Sequence, residues 1–104
     1  MTLPVVRRLA DLPAALPAEQ INTFATGTRF RLEHILSGSH ASRTDFWYDQ
    51  PDAEWAVLLA GRAELEFEEG VVGMQAGDAV LIPAHLKHRI ARSSGAVWLA
   101  LHFD

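Results

Sequence analysis

From Thr28 onward the apolar residues of this chain recur at every second position, in short segments separated by turn residues. That period belongs to β-strands rather than helices. In TRFRLEHIL it places Phe30, Leu32, His34 and Leu36 on one face, expected to be core, and Arg29, Arg31, Glu33 and Ile35 on the other. In RAELEFEEG it sets Ala63, Leu65 and Phe67 against Glu64, Glu66 and Glu68, a strand with one wet face, before a hairpin turn at Glu69-Gly70. EWAVLLAG, AVLIP and GAVWLALHF are apolar on both faces, so a second sheet or a partner subunit should cover each side. Seven or eight short strands and no helix of consequence define an all-β domain, a sandwich or barrel.

The first twenty residues do not follow this pattern. Prolines at positions 4, 13 and 17 break them into an irregular lead-in, with at most a short helical turn after Pro17, expected to wrap the outside of the domain. At 104 residues the chain reads as one domain with a sizeable core. A formal charge of -4 leaves no basic face for nucleic acid, and the absence of cysteine removes disulfides, thiolate nucleophiles and Cys-ligated metal centres. No apolar run is long enough to span a membrane or serve as a signal peptide, which places the protein in the cytoplasm. No Ser-His-Asp order or Gly-rich phosphate loop stands out, and Ser93-Ser94-Gly95 reads as a turn.

Two spacings carry more. Glu54 is followed by six residues and then Gly61; Gly77 is followed by five residues, then Pro83, with His88 five positions later. In this order they resemble the two sequence motifs of the cupin superfamily, over roughly residues 38–92. The resemblance implies a cupin-like double-stranded β-helix, a jelly-roll sandwich or barrel. In it Glu54 and Gly61 match the end of the first motif, and Gly77, Pro83 and His88 match the second. The two first-motif histidines fall on Trp47 and Asp49, or, with a spacer one residue shorter, on Tyr48 and Gln50. His85 stands where the second motif has glycine and Arg92 where it has asparagine.

An inward Glu54 also turns Ala56 and Leu58 inward and sends Trp55, Val57 and Leu59 outward; the opposite choice would bury the bulkier face. With Glu54 inward, a carboxylate and the His88 imidazole can meet across a cavity and begin a site for zinc, iron, manganese or nickel, which needs at least one further donor. Asp49 is the first choice for that donor, because it occupies a family ligand position; His40, His85 and His102 are reserves. Trp47 and Tyr48 are candidates to line a ligand pocket, and His34 reads as a buried histidine with a hydrogen-bond partner. The primary expectation is a divalent-metal pocket that binds or acts on a small organic molecule. The alternatives are a metal-free module that binds or senses a small ligand, and a subunit whose interface is its function. Strands apolar on both faces point to a homodimer.

Overall fold

A computed structural model describes residues 3–104. Six strands make up the described chain: β1 (Gln20–Thr26), β2 (Phe30–Gly38), β3 (Ala53–Phe67), β4 (Gly70–Gln75), β5 (Ala79–Ile82) and β6 (His88–Phe103). All pairings are antiparallel, in the order β1-β2-β6-β3-β4, with β5 on β3. The all-β jelly-roll expectation holds, but the strands are fewer and longer than the sequence suggests. β3 and β6 have 15 and 16 residues and pair from Ala53↔Phe103 to Phe67↔His88. No described helix is long and apolar enough to cross a membrane.

Those two strands stay paired while they bend, because register shifts fall between Leu58 and Ala60, between Ala60 and Arg62, and between Glu64 and Leu65. Ser93-Ser94-Gly95 is therefore no turn; it lies within β6, beside Gly61 at the bend. Gly61 has φ 79° and Gly95 φ 59°, in the left-handed region. A Cβ on Gly61 would collide with the backbone of Ser94 and Gly95. The bend thus depends on a missing side chain.

β1 is a strand that the alternation misses. Most of QINTFAT is exposed, so it shows no apolar period, and backbone pairing with β2 holds it at the sheet edge. No helical turn follows Pro17: Pro17-Ala18 is a bend, and Glu19 leads straight into β1 while accepting a 2.6 Å hydrogen bond from Ser37 Oγ. The lead-in also accepts from two imidazoles, His34 Nε2 at Leu9 O (2.8 Å) and His40 Nε2 at Leu16 O (3.0 Å). The hairpin after β3 has Glu68 and Glu69 at its tip, with Phe67 opposite Gly70.

The register decides which face is inside. Leu58, Trp98 and Ile35 form one row across β3, β6 and β2; Ala56, Ala100 and Glu33 form the next; Glu54, His102 and Arg31 form the third. Val80 and Ile82 of β5 extend the second and third rows. Glu54, Ala56 and Leu58 are buried whereas Trp55 is 44% exposed, so the smaller face of β3 points in. On β2 the cavity side carries Arg31, Glu33 and Ile35, not the Phe30 and Leu32 side that alternation alone selects. The outer face carries an apolar row, Leu81-Trp55-Leu101-Leu32, whose first two members are about half exposed.

Gly61→Ala is expected to lose roughly 2–4 kcal/mol of unfolding free energy, since it combines a left-handed backbone with a backbone collision. A urea titration at neutral pH measures it; a loss below about 1 kcal/mol would show that the bend tolerates a side chain.

Candidate functional site

The inner rows enclose a cavity of about 260 Å³. Ala56 gives it room, lining it with a single methyl group in the row between Leu58-Trp98 and Glu54-His102. Ile21, Ile35, Leu65, Ile82 and Ile90 supply apolar wall. The polar part of the lining comprises Glu19, Arg31, Glu33, Glu54, Tyr48, Gln50, His88 and His102.

His88 reaches this space from the start of β6. Its backbone exchanges two hydrogen bonds with Tyr48, N to O at 2.7 and 3.1 Å, and the two rings stack with centroids 5.4 Å apart. His88 Nδ1–H donates to Leu86 O at 2.9 Å. In the neutral ring this leaves the lone pair on Nε2, which stands 3.8 Å from Glu54 Oε1. His102 is arranged the same way from the other side. Its Nε2–H donates to Glu33 Oε1 at 3.0 Å, and its Nδ1 lies 4.0 Å from the same Glu54 oxygen. Glu33 is in turn held by Arg31 Nε at 2.9 Å. One carboxyl oxygen therefore lies between two imidazole nitrogens with open lone pairs, each just beyond direct hydrogen-bond reach of it.

Burial tunes all three groups. It raises the Glu54 pKa to about 7, helped by the Glu33 carboxylate and opposed by Arg31. It lowers the pKa of His88, against the Leu86 hydrogen bond, and that of His102, where Arg31 adds to the effect and Glu33 opposes it. Tyr48 is pushed up by burial and then by the carboxylates of Glu19, Glu54 and Glu33. Near neutral pH the site therefore holds two neutral imidazoles and a carboxyl close to its own titration point, the condition under which proton transfer is most effective.

Of the residues expected from the sequence, the fold brings Glu54, His88, His102 and Tyr48 to one cavity. Asp49 is outside it, exposed, its carboxylate accepting from His85 Nδ1 at 2.8 Å. His85 is likewise exposed. It takes the glycine place in the turn with φ 63° and is pinned there by its backbone N–H to Gln50 O at 2.7 Å. That clamp fixes segment 48–50, which delivers Tyr48 and Gln50 to the cavity. His40 is tied to the lead-in, and Trp47 is half-buried outside the lining. Arg92 is exposed, with Nε 3.9 Å from Glu64. Glu33, Arg31 and Trp98 join the site without any signal in the two motifs, and Gln50 has only its alternative first-motif position. Alternation already put Arg31 and Glu33 on one face, but only the β2-β6 register sets them beside His102.

The donor chemistry of two imidazoles and a carboxylate suits a divalent ion, and the outer nitrogen of each ring is anchored as in metal-binding histidines. Yet among the described residues no three His, Asp or Glu side chains are arranged to hold one.

With this geometry the chain can be compared with known proteins. The family model described as the cupin domain matches residues 35–102, and the chain belongs to that family. No curated protein matches. A crystal structure from Ralstonia eutropha JMP134, whose provisional name is mannose-6-phosphate isomerase, is similar at 36% identity and TM-score 0.89, over 97% of this chain and 99% of the other. A cupin superfamily protein from Desulfitobacterium hafniense DCB-2 shares the fold at 18% identity and TM-score 0.77, over 97% and 94% of the two chains. An RmlC-like cupin from Shewanella frigidimarina does so at 13% and 0.66, over 82% and 73%.

The raised Glu54 pKa fixes a sign for stability. An ordinary carboxyl titrates near 4.5 and this one near 7, so between those values the folded chain holds a proton that the unfolded chain releases. Stability contributed at Glu54 therefore falls as pH rises through that window and is level above it. Relative to Glu54→Gln, the native protein should lose up to about 3 kcal/mol between about pH 4 and about pH 8. Paired denaturant titrations measure the difference; a flat one would place the Glu54 pKa in the ordinary range.

Proposed function

We propose that the cavity binds a small organic molecule and exchanges a proton with it through Glu54. The carrying observation is the placement of that carboxyl, pKa about 7, between His88 Nε2 and His102 Nδ1. The provisional name of the Ralstonia protein supports the same chemistry, because interconverting an aldose and a ketose moves a proton between adjacent carbons. As a carboxylate, Glu54 takes the proton from the hydroxyl-bearing carbon. The C–H electron pair becomes the carbon–carbon double bond while an imidazole takes the proton of the adjacent hydroxyl and passes it to the carbonyl oxygen, leaving an enediolate. The carboxylic acid then protonates the former carbonyl carbon as the enediolate oxygen forms the new carbonyl, which returns Glu54 to the carboxylate and leaves the imidazole neutral. Solvent deuterium should enter α-hydroxy aldehydes and ketones in the presence of the protein. Glu54→Gln should cut that exchange about a hundred- to ten-thousand-fold while leaving the fold intact. An equally active Glu54→Gln protein, or no exchange across such a panel, would remove the proposal.

A second reading keeps the same residues and adds a zinc, iron, manganese or nickel ion. The orientation of the two imidazole lone pairs favours it. Glu54, His88 and His102 would hold the ion: donors about 2 Å from a tetrahedral ion stand about 3.3 Å from one another, so their present 3.8 and 4.0 Å separations would have only a little to close. Its test is calorimetric: each metal is added to chelator-treated protein. A rise in Tm that His102→Ala removes selects this reading, and no rise selects the metal-free one.

The outer row Leu81-Trp55-Leu101-Leu32 supports a homodimer formed through that face, since an apolar sheet face is ordinarily covered. Light scattering should give twice the 11.5 kDa chain mass, and Trp55→Glu should halve it. A monomeric native protein would contradict the dimer.

A further inference from the structure

The acid-base end of the cavity offers a ligand mainly acceptors. The open lone pairs of His88 Nε2 and His102 Nδ1 stand 3.8 and 4.0 Å from Glu54 Oε1, and both ring N–H groups are engaged elsewhere, by Leu86 O and Glu33 Oε1. The strongest donor among the described lining residues is Arg31, their only cationic side chain. A guanidinium carries five N–H groups in a planar fork. Glu33 Oε2 accepts from Nε–H at 2.9 Å, and among the described residues nothing accepts from either terminal nitrogen. The Arg31 side chain is 42% exposed, so its free end is open to a solute entering the cavity.

Its position ties this free end to the acid-base groups. Arg31 pairs with His102 across the ladder of β2 and β6, and His102 pairs with Glu54 across that of β6 and β3. The guanidinium and the Glu54 carboxyl thus belong to one row, two strand spacings or roughly 10 Å apart at Cα. Glu33 sets their relation, with Oε2 holding Arg31 and Oε1 holding His102. A group gripped by Arg31 therefore keeps the rest of its molecule beside His102 and Glu54.

The terminal edge of the fork presents two parallel N–H bonds. These match the paired oxygens of a carboxylate or phosphate, whereas a hydroxyl or a carbonyl has only one oxygen to offer. The neighbouring carboxylates leave room for an anion there. Glu33 is already bonded by Arg31 and His102, and Glu19 by Ser37 Oγ; at a partly exposed guanidinium, water screens the remaining charge.

We propose that the ligand carries an anionic group, a carboxylate or a phosphate, held bidentately by the two terminal nitrogens of Arg31, with its hydroxyl and carbonyl carbons beside Glu54. This deepens the proposed function and rests on its reading of the cavity as the ligand site.

The test titrates the full chain calorimetrically with D-mannose, D-mannuronate and D-mannose 6-phosphate, which share one scaffold and differ in the group at the terminal carbon. At least one of the two anions should bind about tenfold or more tighter than mannose; the tighter of the two tells a carboxylate site from a phosphate site. Arg31→Gln should abolish that preference and leave mannose within about threefold of its native affinity. Arg31→Lys keeps the charge without the fork and should retain only part of the preference, which guards against a folding defect in the glutamine variant. Equal binding of all three sugars overturns the assignment, as does binding by neither anion or a preference that Arg31→Gln and Arg31→Lys leave intact. A loss in both variants that falls on mannose as heavily as on the anions also overturns it, being the mark of a damaged cavity. The two proposals fail separately. An anionic sugar that binds through Arg31 but exchanges no solvent deuterium refutes proton transfer alone, whereas Glu54-dependent exchange in neutral sugars with no preference for the anions refutes this one alone.

Discussion

The antiparallel ladder between β3 and β6 is the constraint on which the rest depends. It runs from Ala53↔Phe103 to Phe67↔His88 and so joins the two ends of the domain through one pair of strands. Every inner row takes its central pair from it, and β2, β4 and β5 pair along its outer edges. Because the ladder sets Glu54 opposite His102, their meeting in the cavity is a register fact before it is a side-chain fact. Shifting either strand by one residue would turn one partner outward and replace it with Leu101, Phe103, Trp55 or Ala53.

Around this pair, burial does the chemical work. A carboxyl removed from water keeps its proton and an imidazole removed from water loses one, so the same low-dielectric cavity moves the two kinds of group toward each other on the pH scale. The hydrogen bonds to Leu86 O and Glu33 then hold each ring with one nitrogen outward and the other toward Glu54. Neither effect requires a strong ion pair. The Arg31-Glu33 pair matters chiefly because it presents Glu33 to His102.

The sequence discloses this unevenly. Glu54 and His88 were legible from the glycine and proline spacings around them, and the β character of the chain from its alternation. His102 was one reserve among three, because no local pattern distinguishes an inward histidine on a strand apolar on both faces. Asp49 drew attention through its motif position. What decides its placement is the exposed turn at His85, whose side chain takes up the Asp49 carboxylate. β1 was invisible because an edge strand is stabilised by its backbone bonds and leaves little apolar trace. The length of β3 and β6 escaped notice for a different reason: Gly61 and Ser93-Ser94-Gly95 look like chain reversals, yet here they let paired strands bend together.

Ala56 lines the cavity with a single methyl group in the row between Leu58-Trp98 and Glu54-His102. It carries no titratable group, so the room in the site and its acid-base character are written at different positions. Enlarging Ala56 to valine or leucine would trim the accessible volume and leave Glu54, His88 and His102 in their rows. A lineage built on this chain could therefore change the size of molecule it admits before altering the polar groups that meet it, with one inward position acting as the adjustable stop.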